Sequence, residues 1–176
     1  MGDRYLATAS DENLLKAGTC GGAVTSLLKY ALESKRADAV LAIKGINGNR
    51  YDGVLTFITN PDEVLHTAGS LHCSSVNIAR CLKEYLDGAS DLKRAVTCKP
   101  CDARAIIELT KRTQINLENL LLIGLNCTGT MLPTIAKKML EEEFKTDPFD
   151  VTSEEIEDDK ISITLKDGEK KVMDLA

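Results

Sequence analysis

The chain contains no tryptophan and few other aromatics, three Phe and four Tyr among 176 residues. Its core must therefore rest on Leu, Ile, Val and Ala. A basic excess is missing too. The formal net charge of −5 at pH 7 argues against a nucleic-acid partner, because neutralising phosphates needs a surface rich in Lys and Arg. The longest apolar run, Leu120 to Leu125, falls far short of the roughly 20 residues that a membrane-crossing helix requires. The polar N-terminus, MGDRYLATASDENLL, has none of the apolar centre of a secretory signal. Neither internal repeats nor low-complexity tracts occur. Together these absences predict a cytoplasmic protein with no membrane span.

What is present points to an ordinary folded chain. Hydrophobic residues make up 43%, enough to exclude wholesale disorder, and the length suits one domain with a small appendage. Six cysteines in a reducing compartment are not expected to form structural disulfides. They are buried thiols, metal ligands or redox groups, and their positions must separate these.

Helical and extended patterns alternate along the sequence. Val24, Leu27, Leu28 and Ala31 repeat at the spacing of one helix face. Asp38 to Ile43 and Gly53 to Thr59 read as strands, the second closed by Asn60-Pro61. A helix capped by Ser74 or Ser75 is expected to turn Ile78, Leu82, Tyr85 and Leu86 inward and to end at Gly88. Ala95 to Thr97 reads as a short strand. A helix carrying Ala103, Ile106, Ile107 and Thr110 follows, with Asp102 in its first turn. Leu120 to Leu125 reads as a buried strand and Pro133 to Phe144 as a helix. The acidic run Glu154 to Asp159 reads as a solvated loop, and Asp167-Gly168 between two alternating runs as a hairpin turn. The expected fold class is α/β, with a largely parallel sheet flanked by helices and a C-terminal β-hairpin. Residues 1–148 are expected to form the α/β domain and 149–176 an acidic linker and hairpin. An ending just after a hairpin strand is expected of a piece of something longer.

In such sheets ligands collect at the carboxyl ends of the strands, and the informative residues lie in the loops expected there. Gly21-Gly22 at the start of a helix lets a ligand approach the backbone, and free N–H groups there favour an anion. Thr19 and Thr25 add hydroxyl groups. The pattern suits a nucleotide pyrophosphate but is neither GxGxxG nor a Walker motif, and tight helix–sheet packing explains it equally well. The loop containing Gly69, Ser70 and His72 is a weaker version of the same pattern, and His72 alone reads as a solvated loop residue. Cys98-Lys99-Pro100-Cys101 is a C-x-x-C at a strand-to-helix turn. It suits a thioredoxin-like dithiol or half of an iron–sulfur site. Cys127, from the next such loop, supplies a third sulfur, which leaves a four-thiolate site one short unless Cys20 or Cys73 joins. Cys81 reads as a core thiol.

Four segments, GGAVTSLLKYALE, TAGSLHCSS, VTCKPCDARAIIEL and LLIGLNCTGT, together resemble the beta subunits of deazaflavin-dependent (coenzyme F-420) hydrogenases and dehydrogenases. They stand in the family's order and span roughly residues 10–140. The CKPCD and GLNC forms are most similar to the formate dehydrogenase branch. The resemblance implies an oxidoreductase subunit that holds FAD and a 4Fe–4S cluster and passes electrons between a catalytic alpha subunit and coenzyme F-420, which carries them as hydride. By motif it makes Gly21, Gly22, Thr25, Gly69, Ser70, Lys99 and Pro100 candidate cofactor residues and matches Cys101 and Cys127 best to the cluster ligands. The reading of the residues themselves adds Thr19 and His72 to the cofactor candidates and Cys98 to the cluster candidates. Family members commonly have glycine where this chain has Cys98, and they carry a further C-x-x-C that is absent here. Two other readings compete. One is a thiol–disulfide oxidoreductase using Cys98 and Cys101. The other is a non-catalytic assembly module of a redox complex.

Overall fold

The computed structural model describes residues 3–46, 49–74 and 76–175. Its elements, in chain order, are α1 (Glu12–Ala17), α2 (Ala23–Glu33), β1 (Ala39–Gly45), β2 (Gly53–Ile58), α3 (Ile78–Tyr85), β3 (Arg94–Cys98), α4 (Pro100–Lys111), β4 (Leu120–Gly124), α5 (Pro133–Lys138), β5 (Val151–Glu157), β6 (Lys160–Leu165) and β7 (Lys170–Asp174). A π turn, Met139–Glu143, extends α5. No helix among the described residues is long and apolar enough to cross a membrane.

The larger sheet runs β2-β1-β3-β4. β1 pairs parallel with β3, and β3 parallel with β4, while β2 returns antiparallel along the outer side of β1. Successive side chains of a strand point to opposite faces, and both faces of β1 are apolar. Val40 and Ala42 pack with Leu28, Ala31 and Leu32 of α2. Leu41 packs with Val96, with Ile78 and Leu82 of α3, and with Ile106 of α4. Two-sided burial explains why DAVLAI lacks the alternation of a half-exposed strand.

The apolar run at 120–125 is not the buried centre it resembles. Its residues Leu120–Gly124 form β4, one of the two edge strands of the sheet, and Leu121 is 41% exposed. A short apolar run has the same appearance in an edge strand as in a central one, and only pairing distinguishes them. Three helix positions also differ from expectation. Leu27 is 53% exposed, Tyr85 74% and Ile107 45%. In α2 the buried stripe is Thr25, Leu28, Ala31 and Leu32, rotated from the expected one because more apolar residues are present than one face can bury. α3 begins at Ile78, where the Asn77 side chain accepts the Arg80 N–H at 2.8 Å, so Ser74 is not its cap. Ser75 lies outside the described residues.

The C-terminal segment holds three strands rather than a linker and a hairpin. β5, β6 and β7 form an antiparallel sheet. The acidic run, expected as a solvated loop, lies largely in β5. Asp158 and Asp159, at φ 48° and 59°, turn the chain into β6 with the two positive φ values that a tight hairpin needs. Val151, Ile161, Ile163 and Leu165 pack on Ala136, Met139, Leu140 and Phe144, with Cys73 at the border to the larger sheet.

Candidate functional site

A cavity of about 350 Å³ opens beside the carboxyl ends of β1, β3 and β4, where Ile43, Thr97 and Gly124 reach it. Its volume is within the range of small-molecule pockets. Four loops from distant parts of the sequence close around it. Of the candidate cofactor residues, Thr19, Gly22, Thr25, Gly69, Ser70, His72 and Lys99 line it, as do Cys20 and Cys127. Gly21 and Pro100 do not line it.

The first wall is a glycine turn. Cys20, Gly21 and Gly22 hold consecutive left-handed conformations, at φ 50°, 75° and 67°. A side chain at Gly22 would set its Cβ 2.4 Å from the Leu14 carbonyl oxygen, so this turn needs glycine for space as well as for φ. Helix α2 begins directly after it with no side-chain cap. Its leading N–H groups have no side-chain acceptor and stand at the positive end of the helix dipole.

The second wall is the 67–74 loop, tied down from several directions. Thr19 Oγ1 and Ser70 Oγ are 2.6 Å apart, and Arg50 Nη2 donates to the Ser70 carbonyl. The N–H groups of His72 and Cys73 both donate to Glu154 Oε1, the second at 2.9 Å. Met131 N–H donates to the His72 carbonyl at 2.8 Å, and His72 Nδ1 stands 3.3 Å from the Gly129 carbonyl. His72, half-buried, is thus a joint between two loops.

The third wall is the start of α4. Lys99 occupies the N-cap position with Pro100 at the first helical position. Lys99 Nζ donates to the Val76 carbonyl at 3.1 Å and stands 3.4 Å from Asp102 Oδ2. Asp102 is 3% exposed and accepts the Ile78 N–H on Oδ1 at 3.2 Å and the Lys99 N–H on Oδ2 at 3.3 Å. One buried carboxylate therefore fixes the starts of both α3 and α4 and holds a cation at the cavity wall. The remaining lining is largely apolar, with Val24, Leu28, Ile43, Leu71 and Ile78.

Cys98, Cys101 and Cys127 do not assemble as a ligand set. Cys98 ends β3 and is buried at 2% exposure, its thiol 3.8 Å from the Ile123 carbonyl. Burial, and then the Asp102 carboxylate, push that thiol up from its ordinary value. Cys101 is exposed on the first turn of α4, and Cys127 is half-buried at the cavity. All six cysteines are free, and no group of three or more His, Cys, Asp or Glu among the described residues is arranged to hold a metal. Strand geometry is the cause: the last residue of β3 points into the packed sheet, while Cys101 lies on the helix that leaves it.

Residues absent from the candidate set also shape the site. Asp102 was legible as a first-turn acid but not as a buried anchor. Arg50 and Glu154 carried no signal, since each contacts the 67–74 loop from a distant segment.

Two family models match the chain. The one described as coenzyme F420 hydrogenase/dehydrogenase, beta subunit N-term, covers residues 4–83, and its C-terminus counterpart covers 91–176. The chain is 49% identical over 168 residues to the F420-dependent formate dehydrogenase subunit beta of Methanocaldococcus jannaschii, matching 96% of this chain and 43% of that protein. It is 48% identical over 170 residues to the F420-dependent formate dehydrogenase 1 subunit beta of Methanococcus maripaludis, again 96% and 43%. The coenzyme F420 hydrogenase subunit beta of Methanococcus voltae is 27% identical, over 96% of this chain and 60% of that one. The chain thus spans less than half the length of the formate dehydrogenase relatives it matches. Among solved structures, a chain of the F420-reducing nickel–iron hydrogenase complex from Methanosarcina barkeri shares the fold, with a TM-score of 0.78 at 20% identity over 96% of this chain and 58% of that one.

Proposed function

The chain belongs to the coenzyme F420 hydrogenase/dehydrogenase beta-subunit family, and from that premise we propose that it forms the flavin-holding part of an electron-transfer oxidoreductase subunit. The observation that carries this reading is the cavity itself. It sets an uncapped helix start, a glycine turn with no room for a side chain, and a fixed cation around an apolar interior. A ligand with an anionic arm and a flat apolar ring matches that distribution of chemistry, and FAD is such a ligand.

The roles follow from the residues. The glycine turn and the leading N–H groups of α2 would receive a phosphate. Thr25 and Ser70 would offer hydroxyl groups to it. Val24, Leu28, Ile43 and Ile78 would exclude water from the ring. Lys99, held by Asp102, would stand by as the cation that favours a reduced, anionic ring. When bound, a flavin joins one-electron carriers to a two-electron hydride acceptor, here the deazaflavin coenzyme. The formate dehydrogenase names of the relatives support a catalytic alpha subunit as the partner that supplies electrons.

A 4Fe–4S cluster on Cys98, Cys101 and Cys127 does not fit these residues. Cys98 is sealed in the sheet, where burial and then the Asp102 carboxylate push its thiol up, so the accessible Cys101 and Cys127 remain as a partial set. The same fact counts against a thiol–disulfide oxidoreductase, whose active thiol needs a lowered pKa. A purely assembling role leaves the cation-bearing cavity without a purpose.

Anaerobic titration of the full chain with FAD tests the reading. Saturable quenching of flavin fluorescence, with a perturbed visible spectrum, is the expected result. A chain that leaves the flavin spectrum and its fluorescence unchanged would reject it.

A further inference from the structure

One link between the small C-terminal sheet and the cavity is a buried acid. Glu154 of β5 is 2% exposed. Burying a carboxylate is costly unless it is well hydrogen-bonded, and an apolar residue would serve a strand packed on α5 as well or better. A register shift between Val151 and Ser153 breaks the alternation of β5, and Glu154 lies buried beyond it. Its Oε1 accepts the N–H groups of His72 and Cys73, in the loop that presents Ser70 and His72 to the cavity. The same strand takes a second hold on the site: Thr128 Oγ1 donates to the Ile156 carbonyl at 2.6 Å, in the loop that brings Cys127 to the cavity.

We propose that Glu154 is a positioning residue for the cofactor pocket, holding the 69–74 loop in its ligand-binding geometry from the neighbouring sheet. The proposal rests on the reading of the cavity as a flavin site. Its physical content is that one carboxylate oxygen replaces water for two adjacent loop N–H groups. Without it, the two donors lose their buried partner and the segment rearranges to find others. The Ser70 hydroxyl, 2.6 Å from Thr19, and the His72 ring, against Gly129, would then leave their places in the wall.

Two readouts on the full chain test this. Amide hydrogen exchange at residues 69–74 reports the loop whether or not a ligand binds, and quenching of flavin fluorescence reports affinity for FAD. In Glu154→Ala, exchange at His72 and Cys73 should rise by about tenfold or more, and the FAD dissociation constant by about tenfold. Glu154→Gln keeps a side-chain oxygen that accepts both N–H groups, so it should restore each quantity to within about threefold of wild type. Unchanged exchange in a folded Glu154→Ala would overturn the proposal. So would a loosened loop that still binds FAD as wild type does, or a Gln variant that folds normally yet fails to rescue. If wild type binds no FAD while exchange responds as expected, the flavin reading falls and the hold on the loop stands. Should Glu154→Ala not fold, Glu154→Asp retains the charge with a shorter reach and should give intermediate exchange; wild-type exchange in that variant would overturn the proposal.

Discussion

Lys99 Nζ stands 3.4 Å from Asp102 Oδ2 across the first turn of α4, with Asp102 buried at 3% exposure and also accepting the Ile78 and Lys99 N–H groups. The pair divides its work, with Asp102 anchoring two helix starts and Lys99 carrying a charge to the cavity. Asp102→Ala should therefore destabilise the protein by about 3 kcal/mol, since it strands two buried donors and a cation. Lys99→Met should cost less, because Asp102 keeps its two backbone partners. With FAD bound, Lys99→Met should move the flavin midpoint potential to more negative values, because a cation favouring the reduced ring is lost. Urea denaturation and a potentiometric titration check the two halves.

Gly22→Ala should destabilise by at least about 2 kcal/mol, combining left-handed strain with overpacking, because its Cβ would stand 2.4 Å from the Leu14 carbonyl. Gly124 also lines the cavity but has no atom within 4 Å of a would-be Cβ. Gly124→Ala should leave stability within about 0.5 kcal/mol while weakening FAD binding. Thermal melts set beside FAD titrations of the two variants separate space needed by the fold from space needed by the ligand.

The hydroxyl pair of Thr19 and Ser70, at 2.6 Å, joins the glycine turn to the 67–74 loop across 51 residues of sequence. A double-mutant cycle with Thr19→Val and Ser70→Ala should give a coupling of about 1 kcal/mol in urea unfolding. Additive effects would show that the two hydroxyls do not act together.

Thiol chemistry should divide by position. Burial is the first cause that pushes the thiols of Cys73, Cys81 and Cys98 up from their ordinary value. Iodoacetamide near pH 8 should label Cys20 and Cys101, both exposed, well before Cys73 and Cys98; mass spectrometry reads the order. For stability the sign is definite. A thiol raised in the folded state stays protonated after its unfolded counterpart has ionised, so the unfolded chain binds fewer protons. Stability from these thiols should be fully present below the unfolded thiol pKa of roughly 8.5 and should fall as pH rises beyond it. Melting temperatures from pH 8 to pH 10 should decline, and less steeply in Cys73→Ala.

Much of the candidate site is legible in the sequence alone, because each of its loops announces itself locally. Gly21-Gly22 before an apolar helix, Lys99-Pro100 at a strand-to-helix turn, and the pair Gly69 and Ser70 are short-range patterns, and the cavity gathers Gly22, Gly69, Ser70 and Lys99 at its wall. The alternation of strands and helices, and the hairpin at Asp167-Gly168, are likewise local consequences of side-chain period and turn chemistry.

What the tertiary structure alone decided is which side of each segment is covered. It made Leu120–Gly124 an edge strand, buried Cys98 while leaving Cys101 exposed, and buried Glu154 within a run of exposed acids. These outcomes depend on partners tens of residues away: Glu154 is 82 positions from the His72 amide it holds. A sequence sets the propensity and period of each segment. Whether a given carboxylate or thiol meets water, a backbone donor or packed carbon depends on long-range pairing, which leaves no periodic mark on the residues concerned.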